Sequence, residues 1–191
     1  MNLRRNFASL VRYTLVVGLL AISATVFADV NDQREEVRAQ SRDALSRLYK
    51  AIPSAKGAVG RAAGYATFDN FAMKLGLAGG GRGKGLAVSN ATKKETFMKL
   101  VEVQAGLGIG IKKYALIFVF DTNEALDKFI DQGWESSTQA TAAAKHGDKG
   151  TAFAGAVSVS PGVWLYQLTK SGLAAEITLK GSKYYKDDEL N

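Results

Sequence analysis

The sequence predicts an α+β protein. The expected architecture is a curved, mainly antiparallel β-sheet, barrel- or bowl-like, with an N-terminal amphipathic helix and one or two internal helices. Three observations predict it. Val30 to Ala51 repeats apolar residues at helical spacing. Tyr114 to Phe120 (YALIFVF) is apolar on both faces, as a central strand must be. Leu75 to Ile111 is dense in glycine, with clusters at Gly76–Gly85 and Gly106–Gly110 beside Leu, Val and Ile. Glycine inside a strand costs roughly 0.5–1 kcal/mol relative to alanine. So many glycines imply turns, close backbone approach or sharp bends in a curled sheet.

The chain divides into residues 1–28, an export signal; 29–53, the N-terminal helix; and 54–191, the sheet domain. Arg4, Arg5 and Arg12 precede or flank an apolar run, Tyr13 to Ala24, and Val26-Phe27-Ala28 offers a small-residue cleavage site. The run is shorter than the ~20 residues of a spanning helix, and the alternative reading is an uncleaved N-terminal membrane anchor. The expected location is therefore outside the cytoplasm: periplasmic, attached to the cell envelope, or secreted. The 25 Lys and Arg against 18 Asp and Glu give +7, of which the signal's three arginines supply +3, leaving +4. A mild positive charge suits an anionic surface.

In the N-terminal helix, Val37, Ser41, Ala44, Leu45, Leu48 and Ile52 share a face, while Arg34, Arg38, Arg42 and Lys50 lie largely elsewhere. Asn31 or Asp32 caps its start, and Pro53 and Gly57 end it. The mixed charge favours packing across the domain over lying on a membrane. A short helical or irregular piece follows, then strands over Gly64–Phe68, Phe71–Leu77 and Gly85–Ser89. The last two face each other across a turn at Gly79–Lys84. Asn90 to Lys94 is a polar turn. Thr96–Gln104, Leu107–Ile111 and Tyr114–Phe120 are further strands, and the glycine face at 106, 108 and 110 calls for a close neighbour. Asp121 to Glu124 caps a helix to Gln132 with Ala125, Leu126, Phe129 and Ile130 inward, stopped by Gly133. Trp134 to Ala144 is helical or extended, and His146 to Gly150 a loop. Phe153–Ser158, Val163–Thr169 and Leu173–Leu179 are strands, and Lys180 to Asn191 a polar tail.

Composition excludes much chemistry. With no cysteine there are no disulfides, thiolate metal sites, thiol nucleophiles or lipoprotein attachment. The one histidine, His146, sits in a Gly/Asp/Lys loop and reads as solvated; no G-x-S-x-G elbow accompanies it. No catalytic residue, metal or cofactor is expected, and nothing nominates a carboxylate pair. Gly79 and Lys84 partly imitate a Walker loop, but Gly85 replaces its hydroxyl residue and a strand follows instead of a helix. Two readings of this stretch remain open. Either Arg82 and Lys84 on a glycine loop meet anionic head groups, or the segment is a solvated hairpin tip. The basic residues are not clustered as in a nucleic-acid-binding domain, and no nucleic-acid partner is expected.

The order of motifs resembles the SYLF domain family over roughly Ser54 to Asn191. The resemblance rests on Ala55-Lys56-Gly57 to Phe68, on Gly76-Leu77 through Gly83-Lys84-Gly85-Leu86-Ala87-Val88, and on Gly106-Leu107-Gly108-Ile109-Gly110. It continues with Ile117-Phe118-Val119-Phe120, Ala125-Leu126 and Phe129, then Lys170 to Glu176, and ends at Asn191. Ala175 departs from a usual glycine. The resemblance implies a non-enzymatic lipid-binding module: phospholipids generally, phosphoinositides in eukaryotic relatives, and anionic phospholipid or lipid A phosphates for an exported member. Some eukaryotic members are called actin-binding. The candidate head-group contacts are Arg82 and Lys84, Lys93 and Lys94, and Lys112 and Lys113. The alternative is a structural protein of the envelope whose curved sheet binds another protein, host actin only if the chain reaches a host cell.

Overall fold

The computed structural model describes residues 29–136, 153–169, 172–174 and 181–191, the side chains of 104–108 and 111 excepted. The expected signal, the loop with His146 and most of the expected strand Leu173–Leu179 lie outside the described residues. Three helices accompany a seven-stranded, antiparallel sheet curled into a half-barrel.

Helix α1 (29–51) buries one stripe, Val37, Ser41, Ala44 and Leu48, which recurs every three to four residues. Its C-terminal half packs on Ala115, Ile117, Val119 and Tyr166; Val37 packs on Leu86, Val88, Phe97 and Leu190. The helix thus lies across the outer face of the sheet, as its charge pattern predicts. Pro53 separates it from α2 (Ser54–Arg61), so Gly57 falls inside a second helix instead of ending the first.

Strands β1 (Gly64–Ser89) and β2 (Glu95–Phe120) form one hairpin of 26-residue arms, paired from Gly64↔Phe120 to Val88↔Glu95. The reversal is the polar turn 90–94, where Lys93 takes φ 59° and Ser89 bonds Lys94 across the turn at 3.1 Å. The expected turn at Gly79–Lys84 is therefore corrected: those residues are strand. The arm instead bends at Gly76, φ 68°, where the register shifts by a bulge between Gly76 and Ala78. Beyond the bend β1 folds back over its own first half. Gly79, Gly81, Gly83 and Gly85 all point at it, and a Cβ on Gly83 would lie 2.5 Å from the Asp69 carbonyl oxygen. The alternate glycines are a packing surface. The second cluster is different: nothing lies within 4 Å of where a Cβ on Gly110 would stand, so no close neighbour explains that glycine.

β2 is the spine of the sheet. β1 runs along one edge; the other edge is shared by β7 (Ser182–Lys186), opposite Met98–Glu102, and β5 (Val163–Thr169), opposite Ala115–Phe120. Short β3 (Trp134–Glu135) pairs with β7, and β4 (Val157–Ser160) and β6 (Gly172–Leu173) pair with β5. Residues 153–156 form a turn where a strand was expected. The polar tail is corrected too: it supplies β7, with Ser182 and Tyr184 buried and Lys183 exposed in strand alternation.

Residues 114–120 are buried on both faces, as expected. Leu116, Phe118 and Phe120 enter the main core; Ala115, Ile117 and Val119 face the helices. Helix α3 (Asn123–Gln132) closes the core with Leu126 and Phe129 and ends at Gly133, φ 71°. Tyr184 sits 4.9 Å from Phe68 and 5.0 Å from Phe118, ring edges meeting ring faces.

Candidate functional site

The bend at Gly76 carries the chain's unpaired apolar surface. The alternation that buries Ala66, Phe68 and Ala72 sends Phe71, Met73 and Leu75 to the opposite face. Near the helices that face is covered; beyond Thr67 it is not. Leu75 is 63% exposed, Leu77 71% and Ile109, directly opposite Leu75, 86%. Val101 and Val103 add to the surface from the folded-back half.

The six expected cations fall into three places. Lys113, paired with Phe71, stands at the rim of the apolar surface, its ammonium 5.8 Å from the Phe71 ring centre; Lys112, paired with Ala72, is on the alternate side of the strand. Arg82 and Lys84 lie opposite Val101 and Lys99. They line a cleft of about 720 Å³ together with Asp69, Phe71, Lys99 and Tyr185. Lys84 Nζ donates to Gln33 Oε1 of α1 at 2.7 Å, which fixes it on the cleft wall. Lys93 and Lys94 are elsewhere, in the hairpin turn. Seven residues of strand, ~23 Å of extended chain, separate Arg82 from the turn's first flank. Lys94 borders a different pocket, of about 520 Å³, with Arg34, Arg38 and Lys186.

The sequence reading did not include Lys99 or Asp69. Lys99 pairs with Asp187 at 3.0 Å and Glu189 at 3.2 Å, contacts that raise its pKa. Asp69 makes no ion pair among the described residues. Burial by the surrounding protein raises its pKa, partly offset by Arg47 and Lys113. The one available signal for Lys99 was its place in the alternation of Thr96–Gln104, on the same face as Phe97 and Val101.

Beneath the glycine face lies a buried polar network. Asn70 Nδ2 donates to Glu102 Oε2 at 2.8 Å, and the Tyr114 hydroxyl donates to the same oxygen. Asn70 and Tyr114 are cross-strand partners before the bend, whereas Glu102 pairs with Gly81 after it. The carboxylate therefore ties the two halves of the hairpin together. Burial, then the bond to Glu102, pushes the Tyr114 pKa well up, so its hydroxyl stays a donor.

The half-barrel thus leaves an exposed apolar bend beside a cleft lined by Arg82, Lys84 and Asp69. The sequence comparisons agree with the motif order. The Ysc84 family, described as "Las17-binding protein actin regulator", matches residues 101–191. A curated relative, beta cell expansion factor A of Aeromonas veronii, is 33% identical over 160 residues. That alignment covers 83% of this chain and 59% of the relative. Residues 101–191 are thus similar to the Ysc84 (SYLF) family, and the chain spans about three fifths of the length of that curated relative.

Proposed function

We propose that the protein is a non-enzymatic phospholipid-binding protein that associates peripherally with membranes after export to the cell envelope. The observation that carries this reading is the exposed apolar bend with Lys113 and Arg82 at its margins. Cations draw such a surface toward anionic head groups at about 1 kcal/mol each. Apolar side chains then leave water at about 1.5–3 kcal/mol per large residue fully buried. Neither contribution alone holds a protein; together they do.

Vesicle co-sedimentation tests it, with anionic against zwitterionic lipid at low and high salt. Binding to anionic vesicles that falls with salt is expected, since exposed charges are screened over ~8–10 Å near physiological ionic strength. Replacing Arg82 and Lys84 together by Ala weakens that binding by about tenfold or more. Unchanged binding removes the cleft from the contact.

The name of the matched family favours a second reading, in which the same apolar bend docks on a protein. A stable complex on pull-down, with no vesicle binding in either salt, would move the conclusion there.

A further inference from the structure

The cleft holds two opposite charges, both exposed to solvent, that the fold does not pair with each other. Arg82 and Asp69 both line it, on the folded-back and first halves of β1 respectively. Neither forms an ion pair or side-chain hydrogen bond among the described residues, with each other or with a third group. The nearby cations act on Asp69 only through space, without pairing with it. Arg47 is taken by the Thr169 carbonyl at 2.7 Å and by Asp43 at 3.5 Å, and Lys113 lies over the Phe71 ring. Asp43 and Glu36 add only like charge.

A carboxylate and a guanidinium facing one cleft without pairing fit a ligand that carries both signs. The charges are unequal: Arg82 and Lys84 against Asp69, with Lys99 on the same wall already held by Asp187 and Glu189. The two cations match a phosphate; the one carboxylate matches an ammonium. Phe71 and Val101, 44% and 41% exposed, border the cleft and lead onto the apolar bend. The occupant therefore has an apolar part beside its head.

We propose that this cleft selects the phosphoethanolamine head group of a glycerophospholipid, phosphate toward Arg82 and Lys84 and ammonium on Asp69. The proposal rests on the membrane reading above and adds a head-group choice to it. Phosphocholine has no N–H to donate to Asp69 and is disfavoured. Phosphatidylglycerol satisfies the cations and leaves Asp69 without a partner.

The test holds the phosphatidylglycerol fraction of vesicles constant and makes the remainder phosphatidylcholine or phosphatidylethanolamine. The wild-type protein binds the ethanolamine vesicles about tenfold more tightly, the size of one charge-assisted hydrogen bond. Asp69→Asn loses that gain and keeps its binding to the choline vesicles; Asp69→Glu retains part of the gain. Soluble glycerophosphoethanolamine competes the gain away, whereas glycine does not. A gain that survives in Asp69→Asn reflects bilayer packing and overturns the proposal, as does competition by glycine. Equal wild-type binding to both vesicles also overturns it, while leaving salt-dependent membrane binding intact. Binding to neither vesicle overturns both readings.

Discussion

Gly83 shows how one missing carbon shapes the molecule. A methyl there would stand 2.5 Å from the Asp69 carbonyl oxygen and 3.3 Å from Leu100, so the folded-back half of β1 would be pushed off the first. Gly83→Ala is expected to cost about 1–3 kcal/mol or more in urea unfolding. Gly80→Ala is the control, because its Cβ meets nothing nearer than the Glu102 carbonyl oxygen at 3.4 Å. Equal losses for the two would show that the close approach of Gly83 to Asp69 does not set the cost, since backbone entropy alone would favour alanine at both. The same residues explain why the sequence misplaced the turn. Glycines bounded by apolar runs signal a reversal and a close crossing equally well; only the meeting of Gly83 with Asp69, which a local reading does not see, separates them. The cleft was hidden for the same reason. Arg82 and Lys84 were legible as cations on glycine-rich chain, but Asp69 joins them only because the arm folds back.

Elements whose signals are local were legible. Helix α3 could be read from its cap and its apolar spacing: the Thr122 hydroxyl accepts from the Ala125 amide at 3.2 Å, and Leu126 and Phe129 face the core. Thr122→Ala is expected to lower stability by about 1 kcal/mol without changing the urea slope. A loss within error of zero would mean that solvent replaces the hydroxyl there. Residues 114–120 were legible because burial on both faces leaves no polar position. β7 was not, because Lys183, Tyr185 and Lys186 surround one buried ring and the strand is only five residues long. Nor does alternation say which face is inner, so Phe71, Met73 and Leu75 gave no sign that they remain uncovered. Asn191 was noted only as a resemblance, and its reason is structural. Its side-chain amide accepts from the Phe97 N–H at 2.9 Å and donates to the Phe97 carbonyl at 2.8 Å, extending the β7 edge by one rung.

Across the whole molecule, tyrosines set a limit on alkaline stability. Burial raises the pKa of Tyr49, Tyr65, Tyr114, Tyr166 and Tyr184, with Tyr166 pushed up to about 12. A phenol with a folded pKa above its unfolded value of 10.0 keeps its proton in the folded state after the unfolded chain has lost it. Its contribution is therefore complete below pH 10 and is lost as pH rises through the folded value. The urea midpoint should hold level up to about pH 10 and fall steeply beyond it. Tyr166→Phe should blunt that fall at little cost near neutrality, because the Tyr166 hydroxyl is buried with no hydrogen-bond partner among the described residues. A fall of the same steepness in the variant would assign the alkaline loss to other groups.

The bond between Phe97 and Asn191 joins residues 94 positions apart. At ribosomal speeds of roughly 5–20 residues per second, β2 waits several seconds or more for the strand that covers Met98–Glu102. Until then Phe68 and Phe118 lack the Tyr184 ring, and one edge of the long hairpin is bare. The sheet therefore stays incomplete until residues 182–191 have been made. For that interval the chain depends on whatever shields exposed strand edges in the cell.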